Sequence, residues 1–284
     1  MKFYFTRLSI KAVLLFFVSF SSGLVYGQSL KGIILSSSTK TGIGFVNVVI
    51  VGKNIGTVSD ENGNFTIALV NIFDRDSLRF SIIGYESKTF SVLQFREDSS
   101  KMVFLDLKVY KLLEVNVIYK KGRKPKEIII GTPVVTNDLK SGFENNDLGS
   151  ELGIKVHVRQ GVLLKDLNLN VATCTFDSVT YRLNIYKSVN QTDYKNILTE
   201  PIYISFSKDK INNVITYDLS KYSIVVEGDI LIALELYKDL GEGRLLFHTE
   251  FFTGSTFHRK TIDGNWSESP GVIGMYLDGH VIKY

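Results

Sequence analysis

Beyond residue 27 the chain shows almost no helix-period pattern. Short runs rich in Val, Ile, Phe and Tyr recur instead, separated by clusters of Gly, Asn, Asp and Ser. β-Branched and aromatic side chains suit a pleated, half-buried surface, and the intervening residues suit tight turns. The pattern therefore predicts an all-β protein made of sandwiches. Expected strands are 30–35, 45–51, 56–59, 64–69, 77–83, 86–92 and 102–107 in the first half. The second half adds 154–159, 179–186, 202–206, 214–219, 229–237, 245–252 and 271–277. In the run 45–51 the alternation of apolar residues lapses at Asn47, as it would in a short strand covered on both faces. Residues 230–236 are largely apolar on both faces, the mark of a central strand.

A chain of 284 residues has room for two domains, each with its own core. The pattern breaks between Tyr110 and Lys126, where a last strand-like piece at 113–118 gives way to a basic run containing Gly122 and Pro125. That composition reads as a solvated linker. The expected division is a leader at 1–27, a first β-sandwich at 28–108, an exit segment and linker at 109–126, and a second, jelly-roll-like sandwich at 127–284.

The leader carries Lys2, Arg7 and Lys11 ahead of an apolar run at 12–20, then small residues ending in Gly27. This is the plan of a secretory signal peptide. Its apolar run is well short of the roughly 20 residues a membrane span needs. An exported protein is expected, in the periplasm, on the outer-membrane surface or outside the cell, with no transmembrane span in the mature chain. Loss of the leader's three basic residues lowers the formal charge from +4 to +1, so no strongly basic protein remains and nucleic acid is not an expected partner. Cys174 is the single cysteine, which rules out an internal disulfide framework and a cysteine metal cluster and points to a small half-buried core residue.

Catalytic patterns are sparse. No histidine has a carboxylate three residues on: Gln160 follows His157, Phe251 follows His248, Thr261 follows His258 and Lys283 follows His280. A zinc peptidase of the His-x-x-Glu type is therefore absent. His248 and Glu250 share a strand face but are read as a polar face, and His157 with Lys155 and Arg159 is expected to face solvent. No nucleophile elbow or phosphate loop is present. Asp177, Asp229, Glu235 and Glu250 lie in or beside strands, where a carboxylate pair for glycoside hydrolysis would be set by space rather than spacing. Trp266, the only tryptophan, follows a turn; with Tyr186 and Tyr237 it forms the candidate ligand-binding set, because aromatic faces stack on sugar rings. No catalytic residue, metal or cofactor is assigned.

The stretch TVSDENGNF at 57–65 spaces Asp60, Asn62 and Asn64 as a calcium loop would. Counted from Asp60, however, position six is Phe65 and position twelve is Asn71, whereas a calcium loop needs Gly and Glu there. Asn62 and Gly63 instead suit a tight hairpin between 56–59 and 64–69.

Residues 30–34, 45–50, 55–67 and 78–87, in that order and with the trailing segment 112–117, resemble the carboxypeptidase-regulatory-like domain. That domain is a transthyretin-like (prealbumin-like) β-sandwich of many exported Bacteroidetes-type proteins, often at the front of TonB-dependent receptors. The resemblance covers about 28–119, with Gly44 where proline is usual, and implies a non-catalytic accessory module. Residues 146–154 and 238–243 resemble an uncharacterised sandwich that follows this domain in some stand-alone exported proteins, which names no activity. The expected function is non-catalytic binding of cell-envelope proteins or glycans. The alternatives are an accessory to an outer-membrane uptake or secretion machine acting through protein contacts, and a carbohydrate-active enzyme in the second domain.

Overall fold

The computed structural model describes residues 28–69, 74–110, 125–134, 139–144, 146–190, 193–211 and 214–282. The leader, the strand expected at 113–118 and most of the basic run lie outside them. The described chain is almost entirely β, as expected.

In the first domain β1 (Gln28–Ser36), β2 (Asn47–Ile50), β3 (Gly56–Val58), β4 (Asn64–Leu69), β5 (Ser77–Ser81), β6 (Lys88–Ser91) and β7 (Met102–Leu105) form two sheets, ordered β4-β1-β7 and β3-β2-β5-β6. Ile34, Val48, Ile50, Phe65, Ile67, Leu78, Phe80 and Val103 fill the space between them. Two local expectations are corrected. The strand expected at 86–92 stops at Ser91, and helix α1 (Val92–Glu97) follows. Ser91 Oγ accepts from Gln94 N and Gln94 Oε1 from Ser91 N, a capping box that starts the helix. Val92 and Phe95, one turn apart, then point into the core.

The second correction concerns the turn at 59–64. β3 and β4 belong to different sheets, so the turn is an arch between sheets rather than a hairpin. Asp60 Oδ1 accepts the N–H groups of Asn62 and Asn64, at 2.9 and 2.8 Å, which closes the arch from within. Gly63 has φ +86°, and a Cβ there would lie 2.4 Å from Ile34 O. The side chain of Asp60 thus serves the backbone around it.

The second domain comprises β8 (Glu127–Thr132), β9 (Lys140–Phe143), β10 (Glu151–Cys174), β11 (Ser178–Ser188), β12 (Tyr194–Asn196), β13 (Ile202–Ser207), β14 (Val214–Asp218), β15 (Val225–Glu235), β16 (Leu245–Arg259), β17 (Ser267–Ile273) and β18 (Met275–Val281). All its described pairings are antiparallel, in the order β12-β11-β15-β10-β16-β17, with β13 on β11, β14 and β18 on β10, β8 on β18 and β9 on β16. The strand expected at 154–159 is one part of β10, which runs for 24 residues. A shift in pairing between Val158 and Val162 lets β10 bend: before it the strand pairs with β15 and β16, and after it with β14 and β18, with β15 as far as Leu163 and with β16 again at Val171–Cys174. The single strand expected at 271–277 is two, parted at Gly274, where a Cβ would lie 2.7 Å from Asn170 Cβ. Ile154, Leu164, Leu167, Leu183, Ile232 and Phe247 are among the inward-facing residues of the core. Cys174 packs half-buried against it, and its thiol, pushed up by burial, donates to Phe176 O.

Candidate functional site: a cleft over a buried charged row

The outer face of the β11-β15-β10-β16 layer carries four charged residues side by side. Arg182 is opposite Glu235, Glu235 opposite Glu151, and Glu151 opposite Arg259, one residue per strand. Like charges directly opposite each other are unfavourable, so the two central glutamates stand only because a guanidinium flanks each. Glu151 and Glu235 are 1% and 0% exposed and Arg182 is 1% exposed.

Every carboxylate oxygen in the row is in use. Glu235 Oε1 accepts from Arg182 Nη2 and Asn47 Nδ2, the latter at 2.9 Å, and Oε2 from Arg182 Nε and Asn184 Nδ2, at 2.9 and 2.7 Å. Glu151 Oε1 accepts from Asn184 Nδ2 at 2.6 Å and Tyr186 Oη at 2.7 Å, and Oε2 from Arg259. Asn184 Nδ2 therefore bridges the two acids. Burial pushes the Glu151 carboxyl above the usual range, against the pull of Arg259 and with the neighbouring Glu235 charge adding to the rise. Burial pushes Glu235 up too, but the Arg182 guanidinium and the hydrogen bonds from Arg182, Asn184 and Asn47 outweigh it and hold it below the usual range.

The first domain lies on this row. Asn47 on β2 reaches Glu235, Arg182 Nη1 donates to Phe45 O at 2.8 Å, and Arg79 on β5 pairs with Asp263 at 3.1 Å. The Phe45 ring meets Tyr237 edge-on with centroids 4.8 Å apart. All four residues of β2 are buried, Val48 and Ile50 in the first core, Asn47 and Val49 on the face turned to the second domain. The lapse in alternation at Asn47 is thus the point where the first domain meets a carboxylate.

Beside these contacts a cleft of about 320 Å³ opens between the domains, with Tyr85, Asn47, Tyr186, Tyr194, Asn196 and Arg259 in its walls. Among the described residues lining it, Asn47 Oδ1 is the buried side-chain acceptor without a partner. That oxygen is fully buried and lies towards Gly149, where a Cβ would be 3.4 Å from it, so it faces the domain contact and not the cleft.

Of the three residues singled out as a ligand-binding set, the structure joins two. Trp266 and Tyr186 meet edge-to-face at 6.0 Å, and the Arg259 guanidinium stacks over both, 4.3 Å from the Trp266 ring and 5.1 Å from Tyr186. Tyr186 also lines the cleft, while Trp266 sits behind it. Tyr237 lies apart: its hydroxyl is 2.7 Å from Thr180 Oγ1 and its ring packs on Phe45 and Tyr203, so it belongs to the domain junction. His248 is buried and Glu250 half-buried, while Lys155, His157 and Arg159 face solvent, as expected. Among the described residues no cluster of three metal-ligating side chains is present, and no helix is long and apolar enough to cross a membrane.

Residues 151, 182, 184 and 259 are not singled out by sequence. Their signal is a charged or amide residue inside a strand whose neighbours are buried on both sides, as Arg182 is in the run from Tyr181 to Tyr186. No curated protein matches the chain. Residues 30–117, which include the part that docks on the charged row, match the family model of the CarboxypepD_reg-like domain, a regulatory and non-catalytic family.

Proposed function

We propose that this chain is an exported, non-catalytic binding protein of the cell envelope whose regulatory-like domain is clamped to a second sandwich, and that the cleft between them receives a hydroxyl-rich ligand such as an oligosaccharide. The observation that carries the proposal is the saturation of the row. Glu151 and Glu235 have the divergent protonation tendencies of an acid–base pair. Yet each of their four oxygens is already engaged by protein donors, and a catalytic carboxylate needs an oxygen within reach of the substrate. The row therefore serves as a clamp.

What the cleft offers a ligand is the rings of Tyr85 and Tyr194 at half-buried positions. The C–H faces of a sugar complement these. Export rests on the leader, and cell-envelope glycans follow as the partner class. The test is a glycan array together with a hydrolase screen on the mature protein. Binding that falls at least tenfold in Tyr194→Ala, with no polysaccharide turnover, is expected. Turnover of any polysaccharide, or glycan binding indifferent to Tyr194→Ala, would overturn the reading.

A further inference from the structure

On the second domain a separate groove of about 600 Å³ runs between residues 128–132 of β8 and 154–160 of β10; of its lining, Lys155 reaches back to within 5.8 Å of the Tyr194 ring of the cleft. Both walls are strands with an unused edge. β8 pairs with β18 on one side, and no strand among the described residues pairs with its other side. On this edge β10 pairs with β16 up to Ile154 and with β18 from Val162; between these, 155–158 are laddered to β15 alone and 159–160 lie in the irregularity that follows. That gap exists because β16 leaves its course: the pairing with β17 jumps from Glu250 to Ser255, and residues 251–254 loop outward. Phe252 at the loop's crest is fully exposed with φ +74°, a conformation that bulky residues rarely hold. Phe251 and Ile129 are exposed as well.

Unpaired strand edges are usually covered or charged, because they template pairing with another chain. Here the ionisable residues lining the groove are Lys126, Lys155, His157 and Arg159, with no Asp or Glu. Asp229 on β15 faces His157 from outside the lining, 2.7 Å from Nδ1. The cations repel a second copy of the same groove and favour an anionic occupant. β8 and the 162–169 part of β10 both run antiparallel to β18.

We infer that this groove is a strand-addition site for an extended, acidic segment of a partner protein. Main-chain bonds to the two edges would provide affinity, Lys126, Lys155 and Arg159 would select acidic side chains, and Ile129 and Phe252 would cover apolar ones on the alternate face. The inference does not depend on the interdomain cleft, whose ligand could fail to appear while this site stands.

The experiment uses the mature chain and a short fluorescein-labelled peptide of alternating glutamate and valine, with a lysine–valine peptide as control. Anisotropy should show binding of the acidic peptide alone, and hydrogen exchange should show new amide protection at 155–160 and 128–131. Lys126→Glu with Arg159→Glu, both exposed, should weaken binding about tenfold or more with the urea midpoint unchanged. No binding of the acidic peptide would overturn the inference. So would binding without protection at these edges, or equal, charge-dependent binding to vesicles of anionic phospholipid, either of which makes the groove a general anion surface.

Discussion

Replacing Glu235 by glutamine removes one charge from the buried row while preserving its shape. Glu235 accepts from Arg182 twice, from Asn184 and from Asn47. A glutamine amide can accept through its oxygen only, so its nitrogen would face other donors. Hydrogen bonds to an ionised group contribute about 1.5–3 kcal/mol against about 1 kcal/mol for neutral ones. Arg182, 1% exposed, would also be left without its counter-charge. Breaking a buried pair from one side costs roughly 3–5 kcal/mol, and that is the expected loss. Because Asn47 and Phe45 O are held by the same group of residues, the loss should also loosen the junction between domains. Urea unfolding followed by Trp266 fluorescence, which reports the second domain, and by far-ultraviolet circular dichroism, which reports both, should coincide in the wild type and separate in Glu235→Gln. Glu235→Leu combined with Arg182→Met should recover most of the stability, since both charges leave together. A loss below about 1 kcal/mol in Glu235→Gln, with the two probes still coincident, would refute the claim that the row joins the domains.

Three further outcomes are expected. Glu151 keeps its proton in the folded state above the ordinary value of 4.5, so the folded state binds more protons in that window and stability falls as pH rises through it. The urea midpoint should therefore climb as pH is lowered towards 4.5 and decline below it as Glu235, held low, takes a proton; Glu151→Gln should abolish the climb. Gly63→Ala should lower the Tm strongly, because left-handed backbone costs a side-chain-bearing residue about 1–2 kcal/mol and its Cβ would also collide with Ile34 O. Arg79→Ala should barely move the urea midpoint, by about 0–1 kcal/mol, since its side chain is 39% exposed and its pair with Asp263 is screened by solvent.

The sequence showed the β-fold well because strands and turns are marked by nearest-neighbour chemistry. Strand 64–69 coincides with β4, and the boundaries of β11 and β13 fall within two residues of expectation. It failed where one residue type serves two geometries. Asn62 and Gly63 suit a hairpin and an inter-sheet arch equally, and only the partner strands of β3 and β4 distinguish them. The same holds for β10: Gln160 and Gly161 look like a strand end, but the bulge they occupy lets the strand bend and continue.

The charged row was hidden for a different reason. Its members are 31, 53 and 24 residues apart along the chain and meet through the register of four strands, which no local pattern encodes. What the sequence does hold is the residue on the other side of the contact. Asn47 interrupts an otherwise apolar run, and a polar residue in a strand buried on both faces must find a partner across a face. Glu235, in the equally apolar run from Ile230 to Leu236, raises the same demand from the second domain, and the two meet at 2.9 Å. A polar lapse in each of two double-buried strands is thus a signal of a buried domain junction, legible before the structure although the pairing itself is not.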